Sequence, residues 1–167
     1  MKQAGKKIIL HAGDIAFVSA GTQLQTMLGS CVAITVWHPK LHIGGMCHFA
    51  LPRPGGDAIK PWNARYAEDC LALFNDSAKR QKTNLSEYHG KIFGGGDMLD
   101  SSGNNIGQRN VRAAFKLIAE AGIELQVAHV GEKGHRHIVF DPETGDVWVK
   151  FKPAKDDADY TNMTGRV

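Results

Sequence analysis

The sequence predicts an α+β fold, an α/β sandwich in which mostly antiparallel strands carry two main helices packed on the sheet. Short runs rich in β-branched and aromatic residues, bounded by turn-forming residues, indicate the strands. Two longer stretches that place apolar residues at helical spacing indicate the helices. A length of 167 residues, of which 43% are hydrophobic and 22% charged, fits a single domain with its own core.

The first third of the chain is expected to form strands. Residues 14–19 are apolar-rich, residues 31–37 (CVAITVW) are rich in β-branched residues, and residues 41–49 (LHIGGMCHF) follow a turn at Pro39-Lys40. Residues 51–56 contain two prolines and two glycines, and this composition predicts a loop.

Two helices are expected, over about residues 63–82 and 106–121. Apolar residues recur in each at the spacing of a helix with one buried face. Gly122 suits the left-handed conformation that ends many helices. The apolar positions are Ala67, Cys70, Leu71, Phe74 and Ala78 in the first helix, and Val111, Ala114, Phe115, Ile118 and Ala121 in the second.

The rest of the chain predicts further strands. A short strand over residues 91–93 runs into Gly94-Gly95-Gly96, and another covers residues 123–130. Residues 136–140 and 146–151 flank a DPETG turn, so they predict a closing hairpin. One domain is expected over residues 1–167, with a core from about residue 8 to 152 and a polar, frayed tail from residue 153.

Composition excludes several classes of protein. Lys and Arg number 20 against 17 Asp and Glu, and these charges are interspersed, without the basic stripe typical of nucleic-acid binders. No apolar run is long enough for a signal peptide core or a membrane span. Three cysteines without repeating spacing do not indicate a disulfide framework. The protein is therefore expected in the cytoplasm, with reduced thiols and without membrane insertion.

The predicted hairpin over residues 31–49 brings a thiol near an imidazole. If Pro39-Lys40 forms a two-residue turn, Cys31 lies directly opposite His48 on one face of the sheet. That face is mixed: Cys31, Ala33, Thr35, Trp37, His42, Met46 and His48. The other face is apolar: Val32, Ile34, Val36, Ile43, Cys47 and Phe49. Cys47 and Cys70 therefore fit a core, whereas Cys31 does not.

A histidine partner can lower the pKa of a thiol and produce the thiolate that attacks acyl carbons. Gly29 lets backbone approach a ligand closely, and nearby amide N–H groups can hold an oxyanion. The alternative is that Cys31 is an inert, packed thiol, as most free cysteines are.

Other sites are weaker alternatives. Cys31, His38, His42 and His48 could form a zinc site, but their spacing matches no metal motif. His38 and His42 flank the turn and are expected to face solvent, and His135 and His137 share an exposed strand face. The Gly94–Asp97 turn lacks a phosphate-loop pattern, so backbone flexibility or tight packing explains it better. The polar residues that open the second helix either cap it or line a pocket: Asn104, Asn105, Gly107, Gln108, Arg109 and Asn110.

Five motifs in order identify a family. They are LGSCVA at residues 28–33, GGMCHFALP at 44–52, GGGDM at 94–98, NIGQRN at 105–110, and a closing set of Gly131, Gly134, Arg136, Thr144 and Gly145. Together they resemble the CheD chemoreceptor glutamine deamidases, and the resemblance covers about residues 14–151. The separation of the first two motifs is specific to that resemblance.

The resemblance implies a cysteine hydrolase that converts glutamines of methyl-accepting chemotaxis receptors to glutamate through a thioester, with an α/β-sandwich fold and no cofactor or metal. Cys31 matches the nucleophile of the family and His48 its general base. The third member is a threonine in a TxGxGSC pattern, which without gaps falls on Gln25 here. Thr26 lies one residue closer to Cys31 and is the first choice for the residue that orients His48, with Gln25 second.

The resemblance also implies partners: the receptors themselves and a CheC-type phosphatase. Two rival functions stay open from the sequence. One is a non-catalytic module that docks to receptors or CheC. The other is transamidation, in which an amine rather than water resolves the thioester.

Overall fold

Two five-stranded sheets and two helices form three layers in a computed structural model, which describes residues 5–53, 61–98, 105–154 and 163–167. The strands are β1 (Lys6–Ile9), β2 (Ile15–Ser19), β3 (Thr22–Leu28), β4 (Val32–His38), β5 (Ile43–Phe49), β6 (His89–Gly94), β7 (Glu124–Val130), β8 (Gly134–Phe140), β9 (Val147–Pro153) and β10 (Met163–Arg166). The helices are α1 (Ala67–Arg80) and α2 (Ile106–Glu120), and a 3-10 turn covers Leu85–Glu87.

The central sheet has the strand order β2-β5-β4-β6-β7, and the outer sheet has the order β1-β3-β8-β9-β10. The pairs β1–β3 and β6–β7 are parallel, and the other neighbours are antiparallel. The predicted α+β sandwich of mostly antiparallel strands with two helices is therefore confirmed.

Each face of the central sheet covers a separate hydrophobic core. One core lies between this sheet and the helices, where Ile34 and Cys47 meet Phe74 of α1 and Ile118 of α2. The second core lies between the sheets and contains Ala33, Met46 and Phe93 of the central sheet. Leu24, Leu28, Ile138, Phe140, Val147 and Val149 of the outer sheet complete it.

Both helices follow the predicted apolar spacing, with one exception. All five apolar positions of α1 are buried, and acidic residues in its first turn and basic residues in its last complement the helix dipole. In α2 the buried residues include Ala114 and Ile118, but Phe115 is 39% exposed, so its predicted place in the core is wrong. Gly122 follows α2 with a φ of 71°, which confirms the predicted left-handed residue.

The β4–β5 hairpin has the predicted faces but not the predicted register. Its loop is four residues long, and His42 adopts a φ of 51° there while its N–H donates to His38 O. His38 Nδ1 also accepts from the N–H groups of Lys40 and Leu41, which stabilises the longer loop. The register is therefore shifted by two residues, and Ala33 rather than Cys31 lies opposite His48.

Three strands were not predicted: β1, β3 and β10. β3 (TQLQTML) has two glutamines and Met27 on its exterior, and its buried residues, Leu24, Thr26 and Leu28, point into the inter-sheet core. The prediction of a frayed tail is wrong for Met163–Arg166, because β9 supplies an edge for these residues to pair with. The predictions for residues 54–56 and Asn104 lie outside the described residues.

No helix in the described part of the chain is both long enough and apolar enough to cross a membrane.

Candidate active site

Cys31, His48 and Thr26 come from three neighbouring elements at one end of the sandwich. Cys31 immediately precedes β4, His48 lies near the end of β5, and Thr26 lies on β3 of the outer sheet. His48 and Thr26 are 5% and 1% exposed, whereas Cys31 is half-buried. Cys31 occupies the position diagonal to His48 on the same face, which is within reach of a long side chain. The thiol is therefore the accessible member of the group.

The hydrogen bonds of Thr26 define the tautomer of His48. Thr26 Oγ1 donates to the carbonyl oxygen of Leu10 at 2.7 Å and lies 2.7 Å from His48 Nδ1. A hydroxyl has one proton, and the carbonyl oxygen of Leu10 can only accept. His48 Nδ1–H must then donate to Thr26 Oγ1, which leaves the basic lone pair on Nε2.

The segment between β1 and β2 holds this arrangement from the other side. Its Leu10 N–H donates to Gln25 O, and its carbonyl oxygen accepts from Thr26. Asp14 O accepts from the backbone N–H of His48, and Gly13 N–H donates to His48 O. This segment therefore holds the backbone of His48, and the Thr26 hydroxyl holds its imidazole.

Gln25, the second choice for the residue that orients His48, points to the opposite face of β3. Its Oε1 lies 3.3 Å from His137 Nε2 on the exterior of the outer sheet. Alternation along the strand therefore brings Thr26, and not Gln25, into contact with His48.

The Thr26→Val variant is expected to lower kcat by about 10- to 100-fold, because it leaves His48 without the partner that sets its tautomer. Thr26→Ser keeps the hydroxyl and is expected to retain most of the activity. Gln25→Ala is the matched control on the other face. Steady-state kinetics of the three variants test this, and a larger loss in Gln25→Ala than in Thr26→Val would contradict it.

Burial keeps both reacting groups neutral at rest. It lowers the pKa of His48 to about 4, an effect that Asp14 opposes and His11 reinforces. It also raises the pKa of the Cys31 thiol, against the positive charge of Arg65. The lowered pKa expected for a thiol beside a histidine is therefore not found, because burial outweighs the neighbouring charge at Cys31.

The pH dependence of kcat/KM follows from these pKa values. Neutral His48 is the active form, so kcat/KM is expected to fall only as the pH approaches about 4 rather than near the ordinary value of 6.5. The folded state binds this proton less readily than the unfolded state, so the free energy of unfolding also declines as the pH falls between those values. Thermal unfolding measured at each pH distinguishes the protonation of His48 in the folded protein from the loss of folded protein. A pH profile of kcat/KM with its midpoint near pH 6.5, measured on folded protein, would count against this site.

Glycine backbone supports the loop that precedes Cys31. Gly95 N–H donates to Cys31 O at 2.8 Å, and Gly96 N–H donates to Gly29 O at 2.9 Å. A Cβ on Gly94, which has a φ of 106°, would lie 2.3 Å from Cys31 O. The first turn of α2 packs on the same glycines, because a Cβ on Gly107 would lie 2.6 Å from Gly95 O. Tight packing therefore explains the glycine run.

Asn110 of α2 links the two sides of the site. Its side chain is fully buried, and Nδ2 donates to Ser30 O at 3.2 Å and to Ala50 O at 3.0 Å. These carbonyls belong to the residue before Cys31 and to the second residue after His48. Asn105 instead caps α2 by accepting from Gln108 N–H. The sequence predicts that this segment either caps α2 or lines a pocket. Asn105 caps the helix, and Asn110 connects the backbone on the two sides of the site.

The alternative metal ligands are not brought together. His38 lies at the far end of β4 from Cys31 and is 4% exposed, so its predicted solvent exposure is wrong. Its ring packs edge-on against Tyr88 at 5.2 Å. Within the described ranges, no group of three or more His, Cys, Asp or Glu side chains could hold a metal ion. Cys47 and Cys70 are fully buried in the helix-side core, as predicted.

Comparison with known proteins identifies the family of the chain. Residues 50–151 match the family model described as CheD chemotactic sensory transduction. A probable chemoreceptor glutamine deamidase CheD of Pseudomonas syringae pv. tomato is 41% identical over 153 residues, which cover 88% of this chain and 90% of that protein. The chain belongs to the CheD family.

Two further CheD proteins show how far the similarity extends. One from Albidiferax ferrireducens, named probable chemoreceptor glutamine deamidase CheD 2, is 44% identical over 84% of both chains. The chemoreceptor glutamine deamidase CheD of Thermotoga maritima is 32% identical over 86% of this chain and 91% of its own. The CheD model match begins after Thr26, Cys31 and His48, so the assignment of these residues depends on their geometry.

Sequence reasoning missed two supports of this CheD site. The Leu10 carbonyl that accepts from Thr26 carries no side-chain signal, because any residue can supply it. Asn110 was noted among polar residues, but its buried contacts with Ser30 and Ala50 depend on how α2 packs. The alternation of Leu24, Thr26 and Leu28 was the available signal that Thr26 faces inward.

Proposed function

We propose that this protein is a chemoreceptor glutamine deamidase in which Cys31 is the nucleophile, His48 the general base and Thr26 the residue that orients His48. Its CheD relatives carry that activity in their names. The hydrogen bond from His48 Nδ1 to Thr26 is the observation that supports the mechanism most, since it leaves Nε2 basic beside an accessible thiol.

The first step forms a carbon–sulfur bond. His48 Nε2 accepts the Cys31 proton while Sγ attacks the side-chain amide carbon of the substrate glutamine. The carbonyl oxygen takes the negative charge of the tetrahedral intermediate. Both groups start neutral, so the thiol proton must move to His48 before or during the attack.

The backbone amides of Ser30 and Cys31 are the proposed donors to the oxyanion. Gly29 O and Ser30 O accept from Gly96 and from Asn110, so both carbonyls point toward the interior. In a trans peptide the N–H points away from the carbonyl of the same unit. The two N–H groups are therefore directed away from Gly96 and Asn110, toward the side from which a substrate can approach.

The second half releases ammonia and then glutamate. Protonated His48 gives its proton to the amide nitrogen, the carbon–nitrogen bond breaks, and ammonia leaves a thioester on Cys31. Water then attacks the thioester carbon and gives a proton to His48. The carbon–sulfur bond breaks, the thiolate recovers the proton, and the product is a glutamate side chain.

Mass spectrometry of a receptor cytoplasmic fragment incubated with the protein tests this function. We expect glutamine-to-glutamate conversion with release of ammonia. A folded protein that binds the fragment but converts no glutamine supports the docking module instead. Incorporation of a labelled primary amine in place of water supports transamidation.

The proposed location is the cytoplasm, because the nucleophile must stay a reduced thiol and all three cysteines are free. Association with a CheC-type phosphatase stays a prediction from family resemblance. Co-purification of the two proteins tests it.

A further inference from the structure

The outer sheet has one face without a covering layer. Both helices pack on the central sheet, and the inner face of the outer sheet packs on the central sheet as well. Within the described ranges, no helix lies on the exterior face of β3, β8 and β9. We call this exterior face the basic face.

The charged side chains that the strands themselves place on this face are all basic, and the nearby carboxylates come from the β8–β9 turn, where Asp141 accepts from Gln23. The five strands of the outer sheet contain no Asp or Glu. Alternation directs Lys7, Lys150, Lys152 and Arg166 outward. Arg166 has a partner in Asp146, at 3.8 Å. Lys150 and Lys152 of β9 make no ion pair within the described ranges, so their charge is available to an acidic partner.

Two large apolar side chains are exposed on the same face as these cations. Met27 is 69% exposed and Trp148 is 47% exposed, which is unusual for residues in the middle of a sheet. Met27, His137 and Lys150 form one row across β3, β8 and β9. A cavity of about 460 Å³ opens on the face and is lined by Met27, His135, Arg136, His137, Lys150 and Lys152.

The basic face reaches the loop that carries the candidate nucleophile. A Cβ on Gly29 would lie 3.7 Å from His135 Nδ1 and 3.5 Å from the Met98 side chain. Gly29 is two residues before Cys31 and directly follows β3, the strand that carries Met27. A partner on this face therefore reaches the loop that carries Cys31.

We propose that the basic face docks an acidic, amphipathic helix of the receptor substrate, with Lys150 and Lys152 contacting its carboxylates and Met27 its apolar side. This proposal rests on the proposed function. The occupant is acidic because the strands of this face carry no carboxylate, and it is a protein because Met27 and Trp148 offer apolar contact that phosphate backbones do not use. A helix can pack on a sheet face, as α1 and α2 do on the central sheet.

Paired charge reversals test the proposal. The Lys150→Glu/Lys152→Glu variant is compared with Lys79→Glu/Lys82→Glu, which makes the same charge change at the exposed end of α1. For each protein, kcat/KM is measured on a receptor fragment and on a short glutamine peptide. We expect the ratio of the two values to fall roughly tenfold in the Lys150/Lys152 variant alone, and added salt to lower the ratio in the wild type.

Three results would overturn the proposal: an unchanged ratio, an equal fall in both variants, or tighter binding of anionic vesicles or RNA than of the receptor fragment. Binding of the fragment to the Cys31→Ala protein, with and without the Lys150/Lys152 change, is measured in parallel. If the wild type deamidates neither substrate, the proposed function fails. The binding measurement with the Cys31→Ala protein still shows whether the basic face binds the receptor fragment.

Discussion

The Cys31→Ala variant is expected to lose glutamine deamidation by a factor on the order of 10⁶, as is typical when the nucleophile of a catalytic triad is removed. No thioester can form without Sγ, and neither of the other two thiols can replace it. Cys47 and Cys70 are fully buried on the helix side of the central sheet, away from His48. Because Cys31 is half-buried, its truncation is expected to change the melting temperature little.

The matched control is Cys47→Ala. It leaves a cavity in the helix-side core, which costs about 1–2 kcal/mol of unfolding free energy and lowers Tm by roughly 2–8 °C. The folded protein is expected to keep its kcat. Deamidation assays with thermal unfolding compare the two variants, and equal loss of activity in both, with both folded, contradicts the assignment of the two faces.

The His48→Gln variant is expected to lower kcat by about 10²- to 10⁴-fold, which is the usual contribution of a general base. A glutamine amide can still donate to Thr26 Oγ1, but it cannot accept the thiol proton at neutral pH. KM is expected to change less than kcat, because His48 is 5% exposed and Cys31 is the accessible residue.

Two measurements separate this role from simple packing. The decline in kcat/KM near pH 4 should disappear from the profile of His48→Gln, since the group that titrates there is gone. The His38→Gln variant, at the far end of β4, serves as a matched loss of a buried histidine. If His38→Gln loses as much kcat as His48→Gln, the assignment of the base is wrong.

The face assignment of the thiol and the imidazole was predictable although the register was not. Side chains alternate along a strand, so a shift of two residues keeps every residue on its face. Cys31 and His48 therefore still share a face after the loop lengthens to four residues. The longer loop depends on the hydrogen bonds of the His38 side chain, which turn composition does not reveal.

The environment of the site was less predictable. β3 carries two glutamines and the exposed Met27 on its exterior, and its inward residues are buried only because the central sheet packs against them. Because β1 and β3 were not predicted, nothing in the sequence indicated that His48 lies in an environment of low polarity. The lowered pKa of His48 was therefore not predictable either. The choice between Thr26 and Gln25 depended on the same strand, since only its register decides which of them faces His48.

Long-range pairing explains the remaining differences. β10 pairs with β9 although its four residues (MTGR) carry little strand signal of their own. Asn110 reaches Ser30 and Ala50 only after α2 packs on the glycine run. Local sequence patterns do not contain these distant contacts, whereas they did predict α1 and α2.

Peptide mapping of the acid-quenched enzyme during turnover of a receptor fragment tests the central claim most directly. The mechanism predicts a substrate acyl group in thioester linkage to the peptide that contains Cys31, with none on the peptides of Cys47 or Cys70. Hydroxylamine should release this adduct as a glutamyl hydroxamate. A thioester on Cys47 or Cys70, or deamidation at the wild-type rate by Cys31→Ala, would contradict the account.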